Sequence, residues 1–281
     1  SALAVGLVLV LTLWAPWRTA SPPVPVRLTA ELGADASLPV VLASAMLALS
    51  PDGTLLAFTA QNGGSSQLYV RRLGELQATP LAGTTDARDP FFSPEGQWIA
   101  FFAAGKLKKI SVTGGAAVTL CDAGSDRGGT WTEDHSIVFQ PAQLGPLFRV
   151  SDAGGKPEPL TTLAEGEITQ RWPQVLPGGA AVLYTGHSAA VGFDDANLVV
   201  QPLPSGPRTI VQRGGYYGRY LAGGHLVYMH SNNLFAAPFD LGRLALTGTP
   251  VPVLESVVAN PGGGAGGTGT AGAAAFATSQ T

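Results

Sequence analysis

Three arginines recur at one position of a repeat. Arg88, Arg127 and Arg171 each stand four residues before an apolar or aromatic residue, Phe92, Trp131 and Val175, that opens the same apolar-turn-apolar pattern. A further copy has Tyr216 at that position and Arg219 three residues later, and the first copy has Ala45. Guanidinium groups gathered at one place suit bidentate capture of a carboxylate or phosphate. Trp172, Tyr216, Tyr217 and Tyr220, on the same stretches, could supply stacking walls for a ligand or peptide. The same arginines could equally serve as structural stitching, because Asp86, Asp89 and Asp126 lie close by in sequence. Trp98 and Trp131 read as packed core.

Other chemistry finds little support. The chain has no G-x-S-x-G nucleophile motif, and His135, His187, His225 and His230 show no ligand spacing with the single cysteine or with each other. His135 and His225 read as turn residues. Asp194-Asp195 lacks the glycine and glutamate of a calcium loop and reads as solvated acids. Cys121 reads as an inert packed thiol. No catalytic residue, metal or cofactor is expected in this chain. With a net charge of −3 and a pI near 5.8, no basic face is expected to meet nucleic acid.

The elements that must position the arginines follow from the repeat. Its clearest copy is Ala48–Phe58, an apolar strand entering Ser50-Pro51-Asp52-Gly53 and leaving as Leu55, Leu56, Ala57 and Phe58. Proline pre-sets the first turn dihedral, aspartate bonds its own backbone, and glycine accepts a positive φ, so the tetrapeptide is a hairpin turn. The pattern returns with Pro94 and Gly96, in degenerate form at His135, with Pro177 and Gly179, and with Gly224. Anchored on these turns the copies recur roughly every 40–45 residues, the spacing of a four-stranded propeller blade. Each copy also carries a third and a fourth short strand. The 37 glycines, 22 prolines and 12 % charged residues agree with an all-β chain of tight turns.

The expected fold is therefore an all-β β-propeller, with blades near 46–84, 88–121, 127–162, 171–212 and 219–255 and the start of another at 274–281. On this fold the arginine positions surround one mouth of the central channel. Residues 1–17 are apolar and end in Trp14, Trp17 and Arg18. At about 1.5 Å per residue they span about 26 Å, which predicts a truncated transmembrane helix over 1–18. A signal peptide is the main rival. Residues 19–25 form a stiff proline-rich linker. Val26–Leu32 reads as a lone strand that completes the last blade, and 261–272 as a flexible glycine-rich loop.

The S-P-D-G-type hairpins resemble the WD40-like repeats of the Tol-type periplasmic β-propeller. The order of membrane helix, proline-rich spacer, lone strand and blades carries Phe91–Phe102, Gly105–Ile110, Arg171–Gly179 and Gly224–Tyr228. It resembles the extracytoplasmic C-terminal propeller of bacterial transmembrane serine/threonine protein kinases. That resemblance implies a kinase domain upstream of Ser1, with its ATP and Mg, a single-pass location in the cytoplasmic membrane through residues 1–17, and a sensing role. Nothing in the chain matches a kinase glycine loop or catalytic loop. Three readings follow: a sensor that binds an extracytoplasmic protein, peptide or small anion; a periplasmic scaffolding propeller of the Tol type; and a propeller that gates a peptidase.

Overall fold

A computed structural model of the chain describes residues 31–38, 46–62, 64–260 and 273–278. The chain divides into residues 1–31, of which Glu31 alone is described, and a unit of residues 32–281. The membrane helix expected over 1–18, the linker over 19–25, most of the lone strand at 26–32 and the loop over 261–272 lie outside the described residues. Among the described residues no helix is long and apolar enough to cross a membrane.

The unit is a five-bladed β-propeller. Blade one comprises Leu47–Leu49, Leu55–Asn62, Ser65–Arg72 and Thr79–Pro80. Blade two comprises Arg88–Phe92, Trp98–Ala103, Lys106–Ser111 and Val118–Asp122. Blade three is built from Gly129–Trp131, Ser136–Phe139, Phe148–Ser151 and Glu158–Pro159, and blade four from Thr169–Val175, Ala181–His187, Asn197–Pro202 and Thr209–Arg213. In blade five Tyr216–Leu221, His225–His230 and Asn233–Asp240 are followed by Val251–Leu254, with Ala245–Leu246 beside the third strand. All pairings within blades are antiparallel, and the first strands of successive blades stand side by side. Beyond blade five a short pairing of Ala259–Asn260 with Ala273–Ala274 places Phe276 against its inner strand.

The turns behave as their residues dictate. Gly53, Gly96, Gly179 and Gly224 all have φ between 70° and 76°. Each amide donates to the carbonyl three residues back, Ser50, Ser93, Leu176 and Leu221, at 2.9–3.0 Å. His135 takes the same conformation without glycine, at φ 61°. Asp52 earns its place in blade one, where Oδ1 accepts from the Ser50 hydroxyl at 2.5 Å and the Thr54 amide at 3.0 Å.

The core lies between the blades. Along Trp98–Ala103, Ile99 and Phe101 pack toward blade one with Leu68 and Val70, while Ala100 and Phe102 pack toward blade three with Ile137 and Phe139. A strand buried on both faces needs an unbroken apolar run, and this one reads W-I-A-F-F-A. Each fully buried phenylalanine contributes about 1.5–3 kcal/mol. The stretch after Glu31 also joins blade one. Leu32, Ala34 and Ala36 lie against Phe58, Ala60 and Tyr69, and Ser37 exchanges backbone bonds with Gln61 at 2.7 and 3.1 Å.

Candidate functional site: the central channel

Three of the inner strands are bulged at one repeat position. In blade two Arg88 pairs with Phe102 and Phe91 with Ala100, so Asp89 and Pro90 on one strand face Phe101 alone on the other. The same shift falls between Arg171 and Gln174 and between Tyr216 and Arg219. The residue after each repeat position is left-handed: Asp89 at φ 47°, Gly128 at 85°, Trp172 at 55° and Tyr217 at 55°. Only one of the four is a glycine. Bulky residues held in this conformation store strain that the surroundings must offset.

The bulges decide where the candidate residues point. A cavity of about 780 Å³ runs up the axis, from the left-handed residues Asp89, Gly128, Trp172 and Tyr217 to the hairpin turns at Pro51, Pro94, Asp134 and Gly179. Trp131, Phe91, Gln174, Arg219, Tyr220 and Phe276 stand along its walls. Trp172 and Tyr217 tilt against each other at 5.3 Å, and Phe276 meets Tyr217 edge-on at 5.2 Å. Arg88, Arg127, Arg171 and Tyr216 are not among its lining residues.

Those four sit on the other side of the bulge. Arg88 is exposed and faces Asp126 at 3.8 Å. The Arg127 guanidinium donates to the Asp126 carbonyl at 2.9 Å. Arg171 is fully buried: it donates to the Gln143 carbonyl and the Thr169 hydroxyl, each at 3.0 Å, and stacks on Phe193 at 4.6 Å. Burial, and after it the neighbouring Arg127 cation, lower the Arg171 guanidinium to about 9, which leaves it charged at neutral pH. Tyr216 is buried among Phe193 and Met229, and desolvation raises its pKa. Arg219 lies within the channel, donating to the carbonyls of Trp172 at 3.0 Å and Gly218 at 2.8 Å while covering the Tyr217 ring at 4.2 Å.

Around the channel successive blades from the second to the fifth are bonded together. Asp89 Oδ2 accepts the Gly128 amide at 3.3 Å, the Trp172 amide donates to the Arg127 carbonyl at 2.9 Å, and Arg219 reaches the Trp172 carbonyl. Gln174 was not singled out by sequence, yet its side-chain amide pairs with both backbone groups of Tyr220, at 2.7 and 3.2 Å. The available signal was its place one residue before Val175 on an inner strand. Phe91 and Phe276 join the channel wall by the same logic.

Apart from Trp131 on the channel wall, the remaining candidates are not among the lining residues. Trp131 is nearly buried and Lys109 lies over both Trp98 and Trp131, at 4.9 and 5.6 Å. His135 meets Asp152 at 3.1 Å on the surface. Asp194 accepts the Ser231 amide at 2.7 Å within a helical turn, Phe193–Asp195. Cys121 is buried and its thiol is pushed up to about 11 by desolvation. Among the described residues no group of three or more His, Cys, Asp or Glu could hold a metal ion.

No family profile and no curated protein matches the sequence. Solved structures do match in fold. A putative TolB from Agrobacterium tumefaciens superposes with a TM-score of 0.56 at 13 % identity, covering 76 % of this chain and 83 % of that one. TolB from Acinetobacter baumannii gives a TM-score of 0.56 at 15 % identity over 75 % of this chain and 55 % of its own. An oligogalacturonate lyase in complex with manganese gives 0.54 at 15 % identity over 76 % and 67 %. The chain has the fold of the TolB-type β-propellers.

Proposed function

We propose that this chain is a non-catalytic docking propeller of the Tol type, working outside the cytoplasmic membrane and holding a segment of another protein in its central channel. The observation that carries this is the channel itself. It is a cavity of about 780 Å³ walled by aromatic side chains from several blades and set on rigid strands. Its size falls within the range of ligand sites, about 300–1,000 Å³. Aromatic walls offer large contact area at low entropic cost, as protein-binding surfaces do. The TolB-type fold supports the Tol-type part of this reading.

The test is photo-crosslinking in a bacterial envelope. A benzophenone amino acid at Tyr220, on the channel wall, is expected to trap a discrete protein adduct. The same group at Leu76, exposed on blade one, should trap none of that species. Identical adducts from both positions, or none from Tyr220, would overturn the reading.

A second reading adds to the same channel a role as the sensor half of a transmembrane serine/threonine kinase. The apolar run 1–17 with Trp14, Trp17 and Arg18 at its border favours it. A reading frame that continues upstream of Ser1 into a kinase domain would support it; one without such a domain would sink it.

A further inference from the structure

The turns at the mouth of the channel carry an excess of acid. The turn position before the left-handed residue is Asp52 in blade one, Glu95 in blade two and Asp134 in blade three, and Glu133 adds a fourth acid beside it. All four are exposed. The turns of blades four and five, Pro177-Gly178-Gly179 and Ala222-Gly223-Gly224, carry no charge. The cations along the cavity offset only part of this acid: Arg149 pairs with Asp134 at 2.5 Å, and Arg219 is turned inward onto the Trp172 and Gly218 carbonyls, which leaves Asp52, Glu95 and Glu133 in excess at the rim. Hydrogen bonds from Ser50 and Thr54 hold the Asp52 carboxyl below its ordinary range, and Thr132 does the same for Asp134. The rim is therefore anionic at neutral pH.

Beneath that rim the walls are aromatic. Acids spread over three blades around one aromatic funnel are too dispersed for a single small cation, but they match an extended chain with charges at intervals. Aromatic faces accept both cationic heads and the apolar stems that carry them. The geometry points to a partner of stated chemistry: an extended protein segment bearing lysine or arginine interleaved with apolar residues, entering from the hairpin-turn face. This rests on the docking reading above and names its partner class. It also reverses the sign that the arginine repeat suggested, because those arginines lie on the far side of the bulges. Charge of this kind speeds encounter and selects partners more than it adds affinity.

The experiment is a selection of random peptides displayed on phage against the whole chain, at about 0.05 and 0.5 M salt. Two variants run in parallel. Ala222→Trp obstructs the mouth from an exposed position, and Glu95→Lys with Glu133→Lys neutralises the rim on exposed turns. The expected result is a pool at low salt in which Lys and Arg exceed Asp and Glu by about twofold over the starting library. That excess should be lost at high salt and with the neutralised rim, as screened surface attraction requires. Binding of the selected peptides should fall about tenfold or more on the Ala222→Trp chain. A pool of neutral or acidic peptides that still needs an open mouth overturns the cationic class and leaves channel docking standing. A pool that binds the Ala222→Trp chain equally well, or no enrichment at all, overturns both.

Discussion

Arg88 and Arg171 occupy the same repeat position yet live in different surroundings. Arg88 has an exposed side chain and one distant carboxylate, so Arg88→Ala should change stability by less than about 0.5 kcal/mol. Arg171→Ala would strip the bonds from the Gln143 carbonyl and the Thr169 hydroxyl and empty the space over Phe193, for an expected loss of about 2–4 kcal/mol. Urea unfolding of the two variants checks this, and similar losses would refute the contrast. Cys121 gives a second residue-level test. Because burial raises its thiol to about 11, iodoacetamide at mild alkaline pH should label it only after unfolding; rapid labelling of the folded chain would show an accessible thiolate. The sequence made the arginine register legible but not its burial. Register follows from the repeat, whereas burial depends on Gln143 and Phe193, which sit in loops outside the repeat.

The hairpin turns and the bulges form a contrasting pair of elements. The turns were readable because Pro51, Asp52, Gly53, Pro94 and Gly96 each state a dihedral or a hydrogen bond. The three bulges carry Asp89, Trp172 and Tyr217 in left-handed backbone, and neither tryptophan nor tyrosine announces a positive φ. Two glycine substitutions separate strain from collision. At Gly96, φ is 70° and an added Cβ would find its nearest neighbour, Pro51 Cδ, at 3.7 Å, so Gly96→Val should cost about 1 kcal/mol or more through backbone strain. At Gly128, φ is 85° and a Cβ would meet Trp172 Cε3 at 2.6 Å and its Cα at 2.8 Å. Gly128→Ala should therefore cost more than Gly96→Ala by about 1–3 kcal/mol in denaturant melts. Equal costs would mean that Trp172 does not press on Gly128. The turn at Asp52 adds a pH dependence with a definite sign. Its folded carboxyl is depressed below the ordinary 3.8, so its contribution is present above that value and fades as pH falls through the lower folded one. Asp52→Asn should flatten that acid limb, and an unchanged limb would assign it elsewhere.

At the scale of the whole molecule, a propeller is a curved row of blades in which each contacts only its neighbours, so its cooperativity lies in the seams. The sequence revealed the row, through its period, but not the seams, because the bonds that close them come from residues such as Gln174 that the repeat does not mark. The seam between blades four and five is bonded near the channel through Gln174, Arg219 and the Tyr217 amide, which donates to the Thr185 hydroxyl at 3.0 Å. Gln174 exchanges two bonds with the backbone of Tyr220, and Arg219 reaches the Trp172 carbonyl. Removing the first set by Gln174→Ala leaves an amide and a carbonyl of Tyr220 in a half-buried wall, at a cost of about 1–3 kcal/mol. Because coupling runs between neighbours, the loss should not spread evenly. Hydrogen exchange read by mass spectrometry is expected to show Tyr216–Leu221 and His225–His230 opening earlier in the variant. Trp98–Ala103, two seams away, should keep its protection. Uniform acceleration across all blades would mean that the propeller unfolds as a single unit and that the seam at Gln174 has no separate standing.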